Sequence, residues 1–284
     1  MLAVTQFSDT HFSTPGHRSH HGLGYDTDEA WARVAADAYG DPSIVGDLTI
    51  VTGDIADNGT PAEYDVAAQR LGDVPTPLVV LPGNHDQEEP FRAFADRTGL
   101  SADRTLEAGN WLFVFLDSNY EGKGLDADGR PVDYRTRRES NGRLGPGEMD
   151  FAASEIASSA ADHVWLWMHH PPAMTGDTAA FSNPDFTDEV VRLVESHQRI
   201  RGVSAGHVHT DIEHTVGGRP LYLCPSLTIN VDTTAWTWLP PGYRTYRFHD
   251  NGTVHSTVHF AEDPQWPRTN TPDAIADYFR GGAA

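Results

Sequence analysis

Five times along this chain a short run of aliphatic, β-branched or aromatic residues stops at a polar turn carrying aspartate, histidine or asparagine. The turns are Asp9-Thr10-His11, Gly53-Asp54, Gly83-Asn84-His85-Asp86, His169-His170-Pro171 and Gly206-His207-Val208-His209. The runs before them are Leu2 to Phe7, Leu48 to Thr52, Leu78 to Leu81, His163 to Met168 and Gly202 to Ala205, each with the length and composition of a strand. Trp111 to Asp117, Leu221 to Leu223, Tyr243 to His249 and Val254 to Phe260 read as further strands. Helical patterns lie between them. Thr60, Pro61 and Glu63 open one as cap, first-turn proline and capping box, running to about Leu71. Others cover Pro146 to about Ala160 and Pro184 to His197.

This alternation implies an α/β domain built on packed sheets. In such sheets the carboxyl ends of the strands form one rim, so the five turns can converge although the sequence separates them. Glycines at 53, 83 and 206 permit the sharp exits a rim needs. In Asp9-x-His11 and His207-x-His209, extended backbone would send both side chains to the same side.

The remaining sequence sets bounds. A chain of 284 residues, 38% hydrophobic, can bury a large core. We read residues 1–260 as a single catalytic domain and 261–284 as a C-terminal tail, with no internal repeat. Ser13 to Asp26 and Ser118 to Gly145 lack periodicity and read as long loops, which in compact domains are usually functional or mobile. The first strand begins at Leu2, leaving no room for a secretory signal, and no segment is apolar enough to span a bilayer, so a cytoplasmic protein is expected. Cys224 is the single cysteine, which excludes an internal disulfide and any cysteine-rich metal site. A formal net charge of −21, one lysine (Lys123) and no basic cluster beyond Arg135, Arg137 and Arg138 argue against duplex nucleic acid as a partner. A small anion can still bind where metal ions concentrate positive charge.

Taken singly, each block has an ordinary reading as a solvated His–Asp pair, a turn or a strand end. Together, in this order and at these strand ends, they resemble the calcineurin-like metallophosphoesterase superfamily over roughly residues 1–215. The resemblance implies a four-layer α/β/β/α sandwich of two mixed β-sheets flanked by helices, and a homodimer. It implies two divalent or trivalent metal ions per chain, drawn from Mn, Fe, Zn or Co. Asp9, His11 and His209 would hold one ion, Asn84, His169 and His207 the other, and Asp54 would bridge both. His169 takes the ligand role over His170 because the family pattern places it two residues before the proline. His85 would act near the leaving group with Asp86 orienting it, and His170 would lie on the substrate side.

Departures from sister families narrow the reading. Purple acid phosphatases carry a tyrosine ligand three residues after the bridging aspartate, where this chain has Asp57. Protein Ser/Thr phosphatases follow that aspartate with Asp-Arg-Gly and end the third block in glutamate, where this chain has Asp57-Asn58-Gly59 and Asp86. Ser8-Asp9-Thr10-His11-Phe12 and Met168-His169-His170-Pro171-Pro172 look most like bacterial class III cyclic nucleotide phosphodiesterases and their glycerophosphodiester-hydrolysing relatives. The expected substrate is therefore a small phosphodiester, a 3′,5′-cyclic nucleotide first, a glycerophosphodiester or broader phosphoester second. A scaffold that kept the fold and lost the metals would show an eroded ligand set, and here the whole set is present. His17, His20 and His21 follow the first pair closely enough either to cap substrate or to form a polar surface loop. Trp236 and Trp238 would stack on a base or, more simply, pack the second sheet.

Overall fold

The computed structural model describes residues 1–15, 26–41, 45–120, 123–125, 131–133, 142–174, 186–228 and 230–263. The chain runs β1 (Leu2–Phe7), α1 (Thr27–Tyr39), β2 (Leu48–Thr52), α2 (Pro61–Leu71), β3 (Leu78–Leu81) and α3 (Glu88–Thr98). Then come β4 (Thr105–Ala108), β5 (Trp111–Phe115), β6 (Lys123–Leu125), β7 (Pro131–Asp133), α4 (Glu148–Ser158), β8 (His163–Trp167), α5 (Thr187–Ser196) and β9 (Ile200–Ala205). Strands alone follow: β10 (Glu213–Val216), β11 (Arg219–Leu223), β12 (Asn230–Asp232), β13 (Thr237–Leu239), β14 (Gly242–Phe248) and β15 (Val254–Phe260). The tail expected from 261 onward lies outside the described residues apart from 261–263.

Two mixed sheets carry the site. The first has the order β15-β14-β1-β2-β3, with β1, β2 and β3 parallel and β14 and β15 antiparallel. The second has the order β10-β11-β9-β8-β5-β4, parallel from β11 through β5, with antiparallel strands at both edges.

Successive residues of the central strands point to different cores, as a period of two requires. In β5, Trp111, Phe113 and Phe115 face the space between the sheets, whereas Leu112 and Val114 face α4 and α5. In β3, Val79 and Leu81 face the same inter-sheet space, whereas Leu78 and Val80 face α2 and α3. Three separate cores therefore divide four layers, α/β/β/α.

The middle core is aromatic, with Trp111, Trp165, Trp167, Tyr246 and Phe248 fully or almost fully buried. Each such side chain contributes about 1.5–3 kcal/mol by burial, so truncating Trp165 would be among the costliest changes in the fold. A polar thread crosses this core just below the rim. The Gln6 amide donates to Thr52 Oγ1 (2.8 Å) and to the Ala205 carbonyl (3.2 Å) while accepting from Tyr246 Oη (2.6 Å).

The capping box at Thr60 and Glu63 forms as the sequence implies. The expected strands all form, four with the expected ends and the others with ends shifted by one or two residues. Two helices were not anticipated. Asp26 caps α1 by accepting from Asp28 N, and α3 starts after Gln87 with no side-chain cap. No helix among the described residues is long and apolar enough to cross a membrane.

Candidate metal centre

All five blocks meet at one rim between the sheets. β1 delivers Asp9 and His11, β2 delivers Asp54, and β3 delivers Asn84 and His85. From the facing sheet, β8 delivers His169 and His170, and β9 delivers His207 and His209. One ligand atom each from Asp9, His11 and His209 lies within 4.8 Å of the others, and the same holds for His169, His170 and His207 and for Asp9, Asp54 and His169. His11 Nε2 is 3.3 Å from His209 Nε2, and His209 Nε2 is 3.5 Å from Asp9 Oδ1. His169 Nε2 is 3.1 Å from Asn84 Oδ1. Between the two groups sits Asp54 Oδ2, 3.8 Å from His11 Nε2 and 3.4 Å from His169 Nε2.

Backbone strain concentrates here. Asp9, His11, Asp54, His207 and His209 have φ between 44° and 73°, in the left-handed region that residues other than glycine seldom occupy. Trp236 is the remaining non-glycine residue of this kind among those described. The Asp9/His11 and His207/His209 pairs therefore reach the centre through left-handed turns, not through the extended backbone their spacing suggests. Gly53 has φ +91° and a Cβ there would lie 2.5 Å from His169 Nδ1, whereas Gly83 and Gly206 are needed for close approach to Asp54 and Ser8.

Hydrogen bonds outside the ring fix several groups. The Thr52 carbonyl can only accept, so His169 Nδ1 donates to it (2.7 Å) and leaves Nε2 turned to the centre. His207 N donates to Asp9 Oδ2 (2.9 Å), and His85 N donates to Asp54 Oδ1 (2.8 Å). Asp57, noted in the sequence only as a departure from sister families, serves two residues. Its Oδ1 lies 3.3 Å from His11 Nδ1, and its carbonyl accepts from His85 Nδ1 at 2.6 Å. Its position three residues after Asp54, in the same turn, is the signal that marks it.

Asp86 requires a correction. Its carboxylate accepts from the backbone N–H groups of Gly83 (2.9 Å), Ile55 (3.1 Å) and Ala56 (3.1 Å) and from Tyr64 Oη (2.7 Å). It clamps the second block to the third, and His85 is oriented by the Asp57 carbonyl instead. Burial, with Asp54 adding to it, pushes the Asp86 carboxyl up to about 6.

His170, expected on the substrate side, is fully buried with its ring against His207 and His169. His17, His20 and His21 lie outside the described residues, as does most of the second long loop. Trp236 is 48% exposed at the β12–β13 turn and belongs to none of the cores, so the packing expectation does not hold for it.

The donor set fits hard or borderline cations. Burial alone would raise the Asp9 carboxyl, yet His209 outweighs it and holds the group down at about 2. Burial would likewise raise Asp54, but His169 brings it well below the usual carboxylate range. Burial would lower His169, and Asp54 reverses that to about 9. A proton on His169 thus balances Asp54 where a metal ion would, and metal binding would displace it. Among the described residues, Asp9 Oδ1 is buried with no hydrogen-bond donor. His207 is pushed down to about 4 by burial and by His169, leaving a neutral imidazole able to bind a metal.

The chain is similar to known proteins in sequence and in fold. The calcineurin-like phosphoesterase model matches residues 2–211. A 3′,5′-cyclic adenosine monophosphate phosphodiesterase of Escherichia coli K12 is 26% identical over 279 residues, covering 93% of this chain and 92% of that protein. A probable cyclic nucleotide phosphodiesterase of Synechococcus is 25% identical over 218 residues, covering 76% and 77%. Among solved structures, a dimetal phosphatase from Danio rerio superposes with a TM-score of 0.60 at 14% identity, covering 92% of this chain and 99% of that one. With its strand order, its rim of aspartate, asparagine and histidine and this match over most of its length, the chain belongs to the calcineurin-like phosphoesterase family and is a metal-dependent phosphoester hydrolase.

Proposed function

We propose that this protein is a dinuclear-metal phosphodiesterase acting on a small phosphodiester, with 3′,5′-cyclic nucleotides as its first substrate class. The observation that carries the dinuclear reading is Asp54 Oδ2, set between His11 of one ligand group and His169 of the other. Asp9, His11 and His209 would hold one ion, Asn84, His169 and His207 the second, and Asp54 both. Two ions of Mn, Fe, Zn or Co held there would supply Lewis acidity and lower the pKa of a bound water.

The chain's own residues then do the rest. Thr52 and Asp57 hold His169 and His11 in the orientations that present nitrogen to the centre. His85 is pinned through Nδ1 by the Asp57 carbonyl, so Nε2 is the atom that can exchange a proton with substrate. As a water-derived OH joins phosphorus and the P–O ester bond breaks, His85 Nε2 delivers a proton to the departing oxygen. A net charge of −21 disfavours polyanionic substrates and leaves local cations to attract a small phosphodiester.

The substrate class follows the relatives named as cyclic nucleotide phosphodiesterases, which match more than three-quarters of the chain. Steady-state constants for cyclic AMP, cyclic GMP, glycerophosphocholine, glycerophosphoethanolamine and a nitrophenyl diester, measured on metal-loaded protein, test it. A kcat/KM highest for a cyclic nucleotide supports the reading. A preference for the glycerol diesters moves the assignment to them, and turnover of none sinks the phosphodiesterase reading.

A further inference from the structure

A cleft of about 790 Å³ opens between the end of β3, helix α3 with the loop after it, and the stretch that follows β5. Pockets for small organic molecules have volumes of roughly 300–1,000 Å³. Leu81, Phe91, Leu100 and Phe115 supply apolar walls, and Asp117 and Glu148 lie in the cleft together. None of the proposed metal ligands is among the residues that line it.

The two carboxylates share a single cation. Arg104 Nη2 pairs with Glu148 Oε1, which also accepts from the Asp117 backbone N–H (2.8 Å). Asp117 Oδ1 accepts from Asn119 N (2.8 Å). The second oxygens, Asp117 Oδ2 and Glu148 Oε2, accept from no donor among the described residues, although Glu148 is only 7% exposed. The other guanidinium at the cleft, Arg92, is held by Glu88 at 2.8 Å. Asp96 and Asp103 add further negative charge. Burial pushes the Asp117 and Glu148 carboxyls above their ordinary values. A buried carboxylate without a cation of its own costs stability, and such departures from a satisfied interior cluster at functional sites.

We propose that this cleft binds an organic ammonium, a primary amine whose N–H groups donate to Asp117 Oδ2 and Glu148 Oε2 while its hydrocarbon body lies against Leu81, Phe91 and Phe115. The charge balance selects a cation, because an anion would face five carboxylates and two guanidiniums that are both already paired. The apolar walls select a cation with a hydrocarbon body. A bare hard cation wants six or more oxygens, and among the described residues Asp117 and Glu148 belong to no group able to hold a metal. The inference goes beyond the phosphoesterase reading and does not depend on it.

The test is calorimetric titration of full-length, Mn²⁺-loaded protein with 2-phenylethylamine at physiological salt, with 2-phenylethanol as its uncharged counterpart. The amine should bind saturably, one per chain, and at least ten times more tightly than the alcohol. Asp117→Asn and Glu148→Gln should each weaken the amine roughly ten- to a hundredfold, the scale of one hydrogen bond between charged groups, and leave the alcohol unchanged. The alcohol also shows that each variant keeps the cleft folded. Asp73→Asn removes an equal charge from the exposed end of α2 and should change neither affinity. Equal affinity for amine and alcohol would reduce the cleft to an apolar pocket and overturn the proposal. Amine affinity identical in parent, Asp117→Asn and Glu148→Gln would do the same, as would absence of saturable binding at millimolar amine. A loss as large in Asp73→Asn would trace the binding to the overall negative charge, and displacement of the amine by inorganic phosphate would move it to the metal centre. Either result also sinks the site.

Discussion

The two sheets bring opposite chemistry to the same rim. The five-stranded sheet supplies both carboxylates of the proposed ligand set, Asp9 and Asp54, together with the Asn84 amide and one imidazole, His11, whereas the six-stranded sheet supplies only imidazoles, His169, His207 and His209. One wall is anionic, the other neutral until something charges it. Burial would lower the His169 imidazole, and the Asp54 carboxylate across the gap pushes it up to about 9 instead. A metal ion would therefore be a tie between sheets as well as a reagent, and the carboxylate wall should matter most to holding it.

The largest effect should come from Asp54, the carboxylate between both groups. Asp54→Ala should lose both ions and reduce kcat/KM by at least ~10³, the scale of removing one well-placed electrostatic group. Metal analysis beside the kinetics checks it: a variant retaining two ions per chain with near-normal turnover breaks the comparison between the walls.

His85 comes next, and its effect should depend on the leaving group. An alkoxide departs poorly unless protonated, and a positioned acid contributes ~10² to 10⁴ in rate. His85→Ala should slow an alkyl diester by that range and a nitrophenyl diester far less, at preserved metal content. The ratio of the two losses in kcat/KM on one preparation is decisive, because general damage cancels from it. A ratio near one removes the proton-transfer role.

If a cation ties the walls, loading it should stabilise the fold. Metal at a hundred times its Kd adds about 2.7 kcal/mol, worth roughly 5–10 °C in a domain of this size. Calorimetry with and without Mn²⁺ should show that rise in the parent and lose most of it in Asp54→Ala. An equal rise in both would place the stabilising ion elsewhere.

Much of this was legible in the sequence because strand-end chemistry is local. The runs ending at Phe7, Thr52 and Leu81 carry their own punctuation in Asp9, Gly53 and Gly83, so blocks and strands appear together. Less legible was anything settled across the fold. The left-handed φ of Asp9, His11, His207 and His209 shows only in the fold, whereas spacing alone suggested extended backbone. Asp86 looked like a partner of His85 because it is adjacent in sequence, but its carboxylate turns to the amides of Ile55 and Ala56, some thirty residues away. Helix α3 escaped notice because Gln87 gives it no capping bond and Pro90 lies in its first turn. Ser118 and Gly142 lie in or beside a stretch without periodicity, and only the fold brings them to His170.

The smallest predicted effect tests the neutral wall at its exception. Asp117 follows β5 on the six-stranded sheet, yet it is directed to a local cluster in which its backbone N–H donates to Glu148 Oε1 (2.8 Å) and its Oδ1 accepts from Asn119 N (2.8 Å). Burial pushes the Asp117 carboxyl above its ordinary value, and burial does the same to Glu148. A carboxyl whose folded pKa is raised favours folding when protonated. Its stabilising contribution is complete below the unfolded pKa of about 3.9 and is lost as pH rises through the higher folded value. Asparagine resembles the protonated form at every pH and keeps the acceptor for Asn119. Asp117→Asn should therefore raise Tm at pH 7–8 by about 2–4 °C, the scale of 1 kcal/mol in a chain this long, and the gain should shrink toward zero below pH ~4. Metal content and kcat should not change, because this carboxylate lies outside the ligand set. A fall in Tm at neutral pH would show that the Asp117 charge is needed by Arg104, which pairs with Glu148 and draws the Asp117 carboxyl down against burial, and a loss of metal would show that the second sheet contributes a carboxylate to the centre after all.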